Sequence, residues 1–120
     1  MAKKILIVDD EPDTLKVLEN RFEKEGYDVI TAPDGISCIA QAKKEKPDLI
    51  LLDIVLPDIS GFEACRAIKS DKATQAIKVI VCTNKLDIID AAEARESKAD
   101  EFIEKLSDSA RLLEVVKKII

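Results

Sequence analysis

Three stretches of this chain are apolar at every position: Ile5-Leu6-Ile7-Val8, Leu49-Ile50-Leu51-Leu52 and Val79-Ile80-Val81. A strand with one wet face alternates polar and apolar residues, so runs without alternation belong to strands covered on both faces. That is the situation of a parallel sheet with helices above and below it. Two weaker runs, Tyr27–Thr31 and Phe102–Ile103, bring the number of expected strands to five. Helical patterns fill the intervals. Leu15, Leu18 and Phe22 share one face of a helix that opens near Pro12 and stops at Gly26. Ile36, Ile39, Ala40 and Ala42 mark a second helix that ends before Pro47, and Phe62, Cys65 and Ile68 face inward on a third from Ser60 to Ser70. A fourth, alanine-rich helix runs from about Asp87 to Ser97. The fifth starts at Ser107 as N-cap and carries Leu112, Leu113, Val116, Ile119 and Ile120. The order βαβαβαβαβα implies an α/β fold with a five-stranded parallel sheet and right-handed crossovers.

At 120 residues the chain has the size of one domain, and a single domain over 1–120, with no room after Ile119–Ile120 for a second module, is the expectation. With 47% hydrophobic and 36% charged residues it is globular rather than disordered. A net charge of −5 with no Lys/Arg cluster argues against direct nucleic acid binding. Cys38, Cys65 and Cys82 sit in apolar or helical stretches, as free thiols of a reducing compartment do. No apolar run approaches the ~20 residues that span a bilayer, and Met-Ala-Lys-Lys leads straight into a strand with no signal-peptide core. The expectation is a soluble cytoplasmic domain with no membrane contact.

In an open α/β sheet, ligands bind outside the carboxyl ends of the strands. Asp9 and Asp10 follow the first expected strand, Asp53 the third, Thr83 the fourth and Lys105 the fifth. Carboxylates brought together repel, so they either hold protons or require a cation. An all-oxygen set suits a hard ion such as Mg²⁺, which takes one or two carboxylates together with phosphate oxygens. Lys105 would add a positive point charge and Thr83 a hydroxyl donor for a transferring phosphoryl group. Asp53, alone on its strand, is the candidate nucleophile. Taken alone, Asp9-Asp10-Glu11-Pro12-Asp13 is equally an acidic helix start; the coincidence of five polar residues at successive strand ends favours a site.

These residues lie in stretches that resemble the CheY-like receiver domains of two-component response regulators. The matching segments are I-L-I-V-D-D-E-P, A-P-D-G, P-D-L-I-L-L-D-I-V-L-P-D-I-S-G-F-E, V-I-V-C-T-N and K-A-D-E-F-I-E-K, and they cover essentially the whole chain. The D-x-x-x-P-x-x-x-G pattern of Asp53, Pro57 and Gly61 is the most specific. The resemblance implies a flavodoxin-like (βα)5 fold with strand order 2-1-3-4-5. It implies that Asp53 is the phospho-accepting aspartate, that Asp10 ligates Mg²⁺ directly and Asp9 through water, and that Val55 lends its backbone carbonyl to the metal. Thr83 and Phe102 would be the switch residues and Lys105 the phosphoryl-binding lysine. The partners implied are a histidine kinase, a phosphotransfer protein or a small phosphodonor such as acetyl phosphate. Downstream stand an effector protein or output domain, and a phosphorylation-dependent dimer is left open. Phosphorylation in such domains shifts a pre-existing equilibrium at the face of the fourth helix, fifth strand and fifth helix. The chain would be a signalling switch that catalyses only its own phosphorylation and dephosphorylation.

The chain departs from that pattern in several places. Leu106 stands after Lys105 where the family has proline, which predicts a trans Lys105–Leu106 bond. Phe102 replaces the commoner tyrosine, Asn84 follows Thr83 where a small alanine is usual with Lys85 next, and the resemblance implies that Val55 and Lys85 flank the path of attacking water. The missing proline and Phe102 lean toward a docking module that no longer uses phosphate, whereas the complete set of Asp9, Asp10, Asp53, Thr83 and Lys105 leans against it. A phosphatase of the haloacid dehalogenase type would want an aspartate at position 55, and a flavodoxin would want a Ser/Thr/Gly-rich loop where Asp9 and Asp10 stand.

Overall fold

Every strand expected from the apolar runs is present in the computed structural model, which describes residues 2–83, 91–104 and 109–120, with the side chains of 83, 91, 104 and 109 left aside. The strands are β1 (Lys4–Val8), β2 (Asp28–Ala32), β3 (Leu49–Asp53), β4 (Lys78–Thr83) and β5 (Glu101–Glu104). Between and after them run α1 (Pro12–Lys24), α2 (Gly35–Glu45), α3 (Gly61–Ser70), α4 (Ala91–Ser97) and α5 (Ser109–Ile119). The sheet is parallel throughout, in the order β2-β1-β3-β4-β5. This is the flavodoxin-like arrangement, with its switch point where β1 passes to β3. The expected residues 87–90 of the fourth helix and the Ser107 cap lie outside the described residues.

The apolar runs are continuous because each strand feeds two cores. Leu6, Val8, Ile50, Leu52, Val79 and Val81 face α2 and α3, where they meet Cys38, Ala42, Phe62, Ala64, Cys65 and Ile68. Ile5, Ile7, Leu49, Leu51, Ile80 and Cys82 face α1 and α5, against Phe22, Leu112, Leu113 and Val116. In α2 the buried stripe is Gly35, Cys38 and Ala42. Ile36 is 63% exposed, so one of the two isoleucines expected to mark this helix lies off its core face. Ala40 is exposed as well, and only Ile39 and Ala42 of the expected set contribute to packing.

The helix ends carry their own local chemistry. Pro12 occupies the first turn of α1, where its missing N–H is not needed. The other end closes with Gly26 at φ 93°, a Gly26 N–H bond to Glu23 O (3.0 Å) and a Tyr27 N–H bond to Phe22 O (3.2 Å). That double bond pattern is a Schellman closure. The Phe22 and Tyr27 rings, with centroids 5.8 Å apart, form the apolar contact that accompanies it. Asp34 caps α2 by accepting the Ser37 N–H (2.7 Å), and Ser60 caps α3 by accepting the Glu63 N–H (3.1 Å).

Two contacts hold β3, β4 and β5 to α3. Gly61 donates to Ile54 O at 2.7 Å. A Cβ at this position would overlap Asp53 O and stand 2.8 Å from Ile54 Cα, so only glycine lets α3 start this close to the end of β3. At the opposite edge, Asp100 Oδ2 accepts both the Lys69 ammonium (2.8 Å) and the Val79 N–H (2.8 Å), while the same ammonium reaches Ile77 O (2.8 Å). Desolvation alone would raise the Asp100 carboxyl, but the Lys69 ammonium and the Val79 N–H outweigh it and hold it below its ordinary value.

Gly61→Ala is expected to destabilise the domain by about 1–3 kcal/mol, because the overlap is with backbone that cannot swing away. Urea unfolding measures it. For Asp100, a folded-state pKa below the unfolded one means that the stabilisation is complete above the unfolded value of about 3.9 and disappears as pH falls through the folded value. Asp100→Asn is therefore expected to cost about 1–2 kcal/mol near neutrality, with the gap to the parent closing below about pH 4. Unfolding curves of the two proteins across that range test it, and a gap that stays constant with pH would contradict the assignment.

Candidate functional site

Strand register builds the site. Val8 pairs with Leu52 across β1 and β3, so the next residues, Asp9 and Asp53, leave adjacent strands at the same level. Asp53 pairs with Cys82, which places Thr83 one residue further out on β4. Thr83 in turn pairs with Glu104, the residue before Lys105. Asp9, Asp10 and Asp53 come together as expected, each offering one carboxylate oxygen, with the three oxygens within 4.8 Å of one another. The Thr83 side chain lies outside the described residues. So do Lys105, the Lys105–Leu106 bond, Asn84 and Lys85.

The three carboxylates differ in setting. Asp9 is 2% exposed and Asp53 9%, whereas Asp10 is open to solvent. Asp9 is fixed twice: its N–H bonds Ala32 O on β2 (3.2 Å), and its Oδ1 accepts the Glu11 N–H (2.9 Å). Glu11 is the N-cap of α1, so the acidic stretch both opens a helix and turns one carboxylate toward β3. The donor set fits Mg²⁺. It is all oxygen, and an octahedral ion with bonds of about 2.1 Å separates its ligand atoms by about 3.0 Å for neighbours and about 4.2 Å for opposite pairs. The three oxygens, within 4.8 Å of one another, are spread on that same scale.

Around the acids lies the loop of residues 54–60. Val55 sits in it with its side chain 72% exposed. Behind the site, Phe102 on β5 packs against the α2–α3 core, its ring centroid 6.3 Å from that of Phe62 at an interplanar angle of 52°. Neither Cys38 nor Cys65 offers a competing nucleophile. Burial pushes the Cys38 thiol up to about 12 and the Cys65 thiol up to about 11. The thiolate is the reactive form, and neutral pH leaves almost none of it.

One residue in this region escaped the sequence reading. Asp58, in the loop after Asp53, accepts the N–H groups of Gly35 (2.9 Å), Ile36 (2.9 Å) and Ile59 (2.7 Å). Its signal was a carboxylate directly after Pro57, but its two long-range partners lie more than twenty positions back along the chain.

Comparison with known proteins agrees with this geometry. The family model for the response regulator receiver domain matches residues 5–117. Protein PilH of Pseudomonas aeruginosa is 37% identical over 117 residues, which cover 98% of this chain and 97% of that one. The alkaline phosphatase synthesis transcriptional regulatory protein PhoP of Bacillus subtilis is 40% identical over 105 residues, 88% of this chain and 43% of the regulator. The chain thus spans less than half of that relative. Among solved structures, the response regulator TrrA of Thermotoga maritima in complex with Mg²⁺–BeF superposes with a TM-score of 0.89 at 33% identity, covering 98% of this chain and 99% of that one. By its sequence, its strand order and the acids gathered at its strand ends, the chain belongs to the response regulator receiver domains of two-component signalling.

Proposed function

We propose that this receiver domain is a phosphorylation-driven switch in which Asp53 accepts a phosphoryl group with Mg²⁺ held by the neighbouring acids. The observation that carries the proposal is the convergence of the Asp9, Asp10 and Asp53 carboxylates at one strand edge. Carboxylates brought this close repel one another, and a hard dication is what their donor set accommodates. Receiver domains bind Mg²⁺ in an acidic pocket and interact with histidine kinases and output effectors.

In this reading Asp10 and Asp53 would hold the ion together with the Val55 carbonyl. Asp9, with one oxygen committed to the Glu11 N–H, would act through water. When bound, Mg²⁺ offsets the negative charge of the phosphoryl oxygens and of the carboxylates around them. A carboxylate oxygen of Asp53 attacks phosphorus as the bond to the donor breaks. With a kinase or phosphotransfer protein the broken bond is phosphorus to histidine nitrogen and the imidazole departs. With acetyl phosphate it is phosphorus to oxygen and acetate departs. Thr83 would donate its hydroxyl to a phosphoryl oxygen, and Lys105 would place a positive charge beside another. Phe102, packed inward toward Phe62, would move as the equilibrium shifts and so change the face formed by α4, β5 and α5. The output is contact with a downstream effector or output domain. The five polar positions at the strand ends weigh against a phosphate-independent docking role, because a docking surface needs none of them.

Incubation with Mg²⁺ and acetyl phosphate is expected to add one phosphoryl group, detected by intact mass. Asp53→Asn is expected to reduce labelling to background, and chelation of Mg²⁺ with EDTA should do the same to the parent protein. A parent protein that gains no mass with acetyl phosphate or with a phosphorylated histidine donor would overturn the proposal.

A further inference from the structure

The β3–α3 loop is fastened at both its base and its apex. At the base, Gly61 N–H bonds Ile54 O at 2.7 Å, and α3 begins so close to β3 that a Cβ would overlap Asp53 O. At the apex, Asp58 spends both carboxylate oxygens on backbone donors: Oδ1 accepts from Gly35 (2.9 Å) and Ile59 (2.7 Å), and Oδ2 accepts from Ile36 (2.9 Å). Gly35 and Ile36 are the first two residues of α2, whose N–H groups have no partner within the helix. The approach is tight as well, since a Cβ on Gly35 would overlap Ile59 Cγ1 and stand 3.4 Å from Asp58 Oδ1.

A carboxylate there meets the positive end of the α2 dipole and makes charge-assisted bonds, the stronger class of hydrogen bond. Desolvation acts to raise the Asp58 carboxyl, and the backbone donors of Ile36, Gly35 and Ile59 outweigh it and hold it below its ordinary value. α2 has its own cap in Asp34, which takes the Ser37 N–H at 2.7 Å. Asp34 does not reach the Gly35 and Ile36 N–H groups, so the loop carboxylate both completes the start of α2 and ties the loop to it. Between Ile54 and Asp58 lie Val55, Leu56 and Pro57, with Val55 two residues beyond the last residue of β3.

We propose that Asp58 is a positioning residue for the acid cluster: by tying the loop apex to the start of α2, it sets the backbone at Val55 relative to Asp53. Its consequence for the metal rests on the functional reading above. Three variants separate the roles. Asp58→Ala removes all three bonds, Asp58→Asn keeps one acceptor oxygen and loses the charge, and Asp34→Ala removes the cap of α2 without touching the loop.

In metal-free protein, amide hydrogen exchange at Gly35, Ile36 and Ile59 and across residues 54–61 is expected to quicken about tenfold in Asp58→Ala and by less in Asp58→Asn. Titration with Mg²⁺ alone, followed by amide shifts, is expected to give a Kd raised about tenfold in Asp58→Ala, an intermediate value in Asp58→Asn and the parent value in Asp34→Ala. The asparagine variant keeps the test available if the alanine variant does not fold. Unchanged exchange across 54–61 in both Asp58 variants overturns the proposal. So does a parent Mg²⁺ Kd in both, or equal weakening by Asp34→Ala, which would make the effect one of α2 stability. A parent protein that takes up no Mg²⁺ overturns the functional reading instead, and the exchange measurement still decides what Asp58 holds.

Discussion

The pairing of β1 with β3 is the constraint on which the rest of this molecule depends. Both strands are buried on both faces: Ile5, Leu6, Ile7 and Val8 beside Leu49, Ile50, Leu51 and Leu52. Each strand is thereby locked to two helical layers at once. A slip of one residue would exchange the two faces of every side chain and spoil both cores together. The register is accordingly rigid, and a rigid register delivers Asp9 and Asp53 to the same level at the strand ends. Like charges are held together there by apolar packing that has nothing to do with them, and the site inherits its precision from the core.

Around that fixed pair, the remaining groups hang from elements of different stiffness. Asp9 is bound to β2 through its N–H and to the start of α1 through its carboxylate, so it has little freedom. Asp10 is exposed and adaptable. The loop after Asp53 packs Ile54, Leu56 and Ile59 against the α2–α3 core, and Gly61 and Asp58 fasten it further through hydrogen bonds and close backbone approach. Far from the acids, Lys69 and Asp100 join α3, β4 and β5 at the other edge of the sheet. The two ends of the sheet thus use charge differently. At one end Lys69 and Asp100 pair inside the fold, and at the other three carboxylates gather within 4.8 Å.

How much of this could be read beforehand depends on the range of the interaction. The strands were legible because burial on both faces leaves a run such as Leu49–Leu52 with no polar position. Gly26 was legible as a helix stop because a left-handed residue after the last turn has a local signature, and the structure gives it φ 93°. The buried face of α2 was less so. Ile36, Ile39, Ala40 and Ala42 mark the helix without revealing the stripe that Gly35, Cys38 and Ala42 occupy. Hydropathy alone ranks Ile36 above Gly35, yet the close packing of Ile59 against Gly35 decides which of them turns inward. Asp58 was invisible for the same reason: an acid after proline in a loop looks solvated until the start of α2 is seen beside it.

Taken by itself, the amino-acid sequence determined the alternation of strands and helices, the parallel sheet and the residue types waiting at the strand ends. Those properties follow from periodicity and from short-range stereochemistry, which each segment carries within itself. Tertiary structure alone decided that Asp9, Asp10 and Asp53 lie within 4.8 Å of one another, that the Phe102 ring packs toward Phe62, and that Asp58 belongs to α2. These facts join segments twenty to more than forty residues apart. Their cause is the burial of β1 and β3 between two cores, which brings those segments together only once the whole sheet has formed.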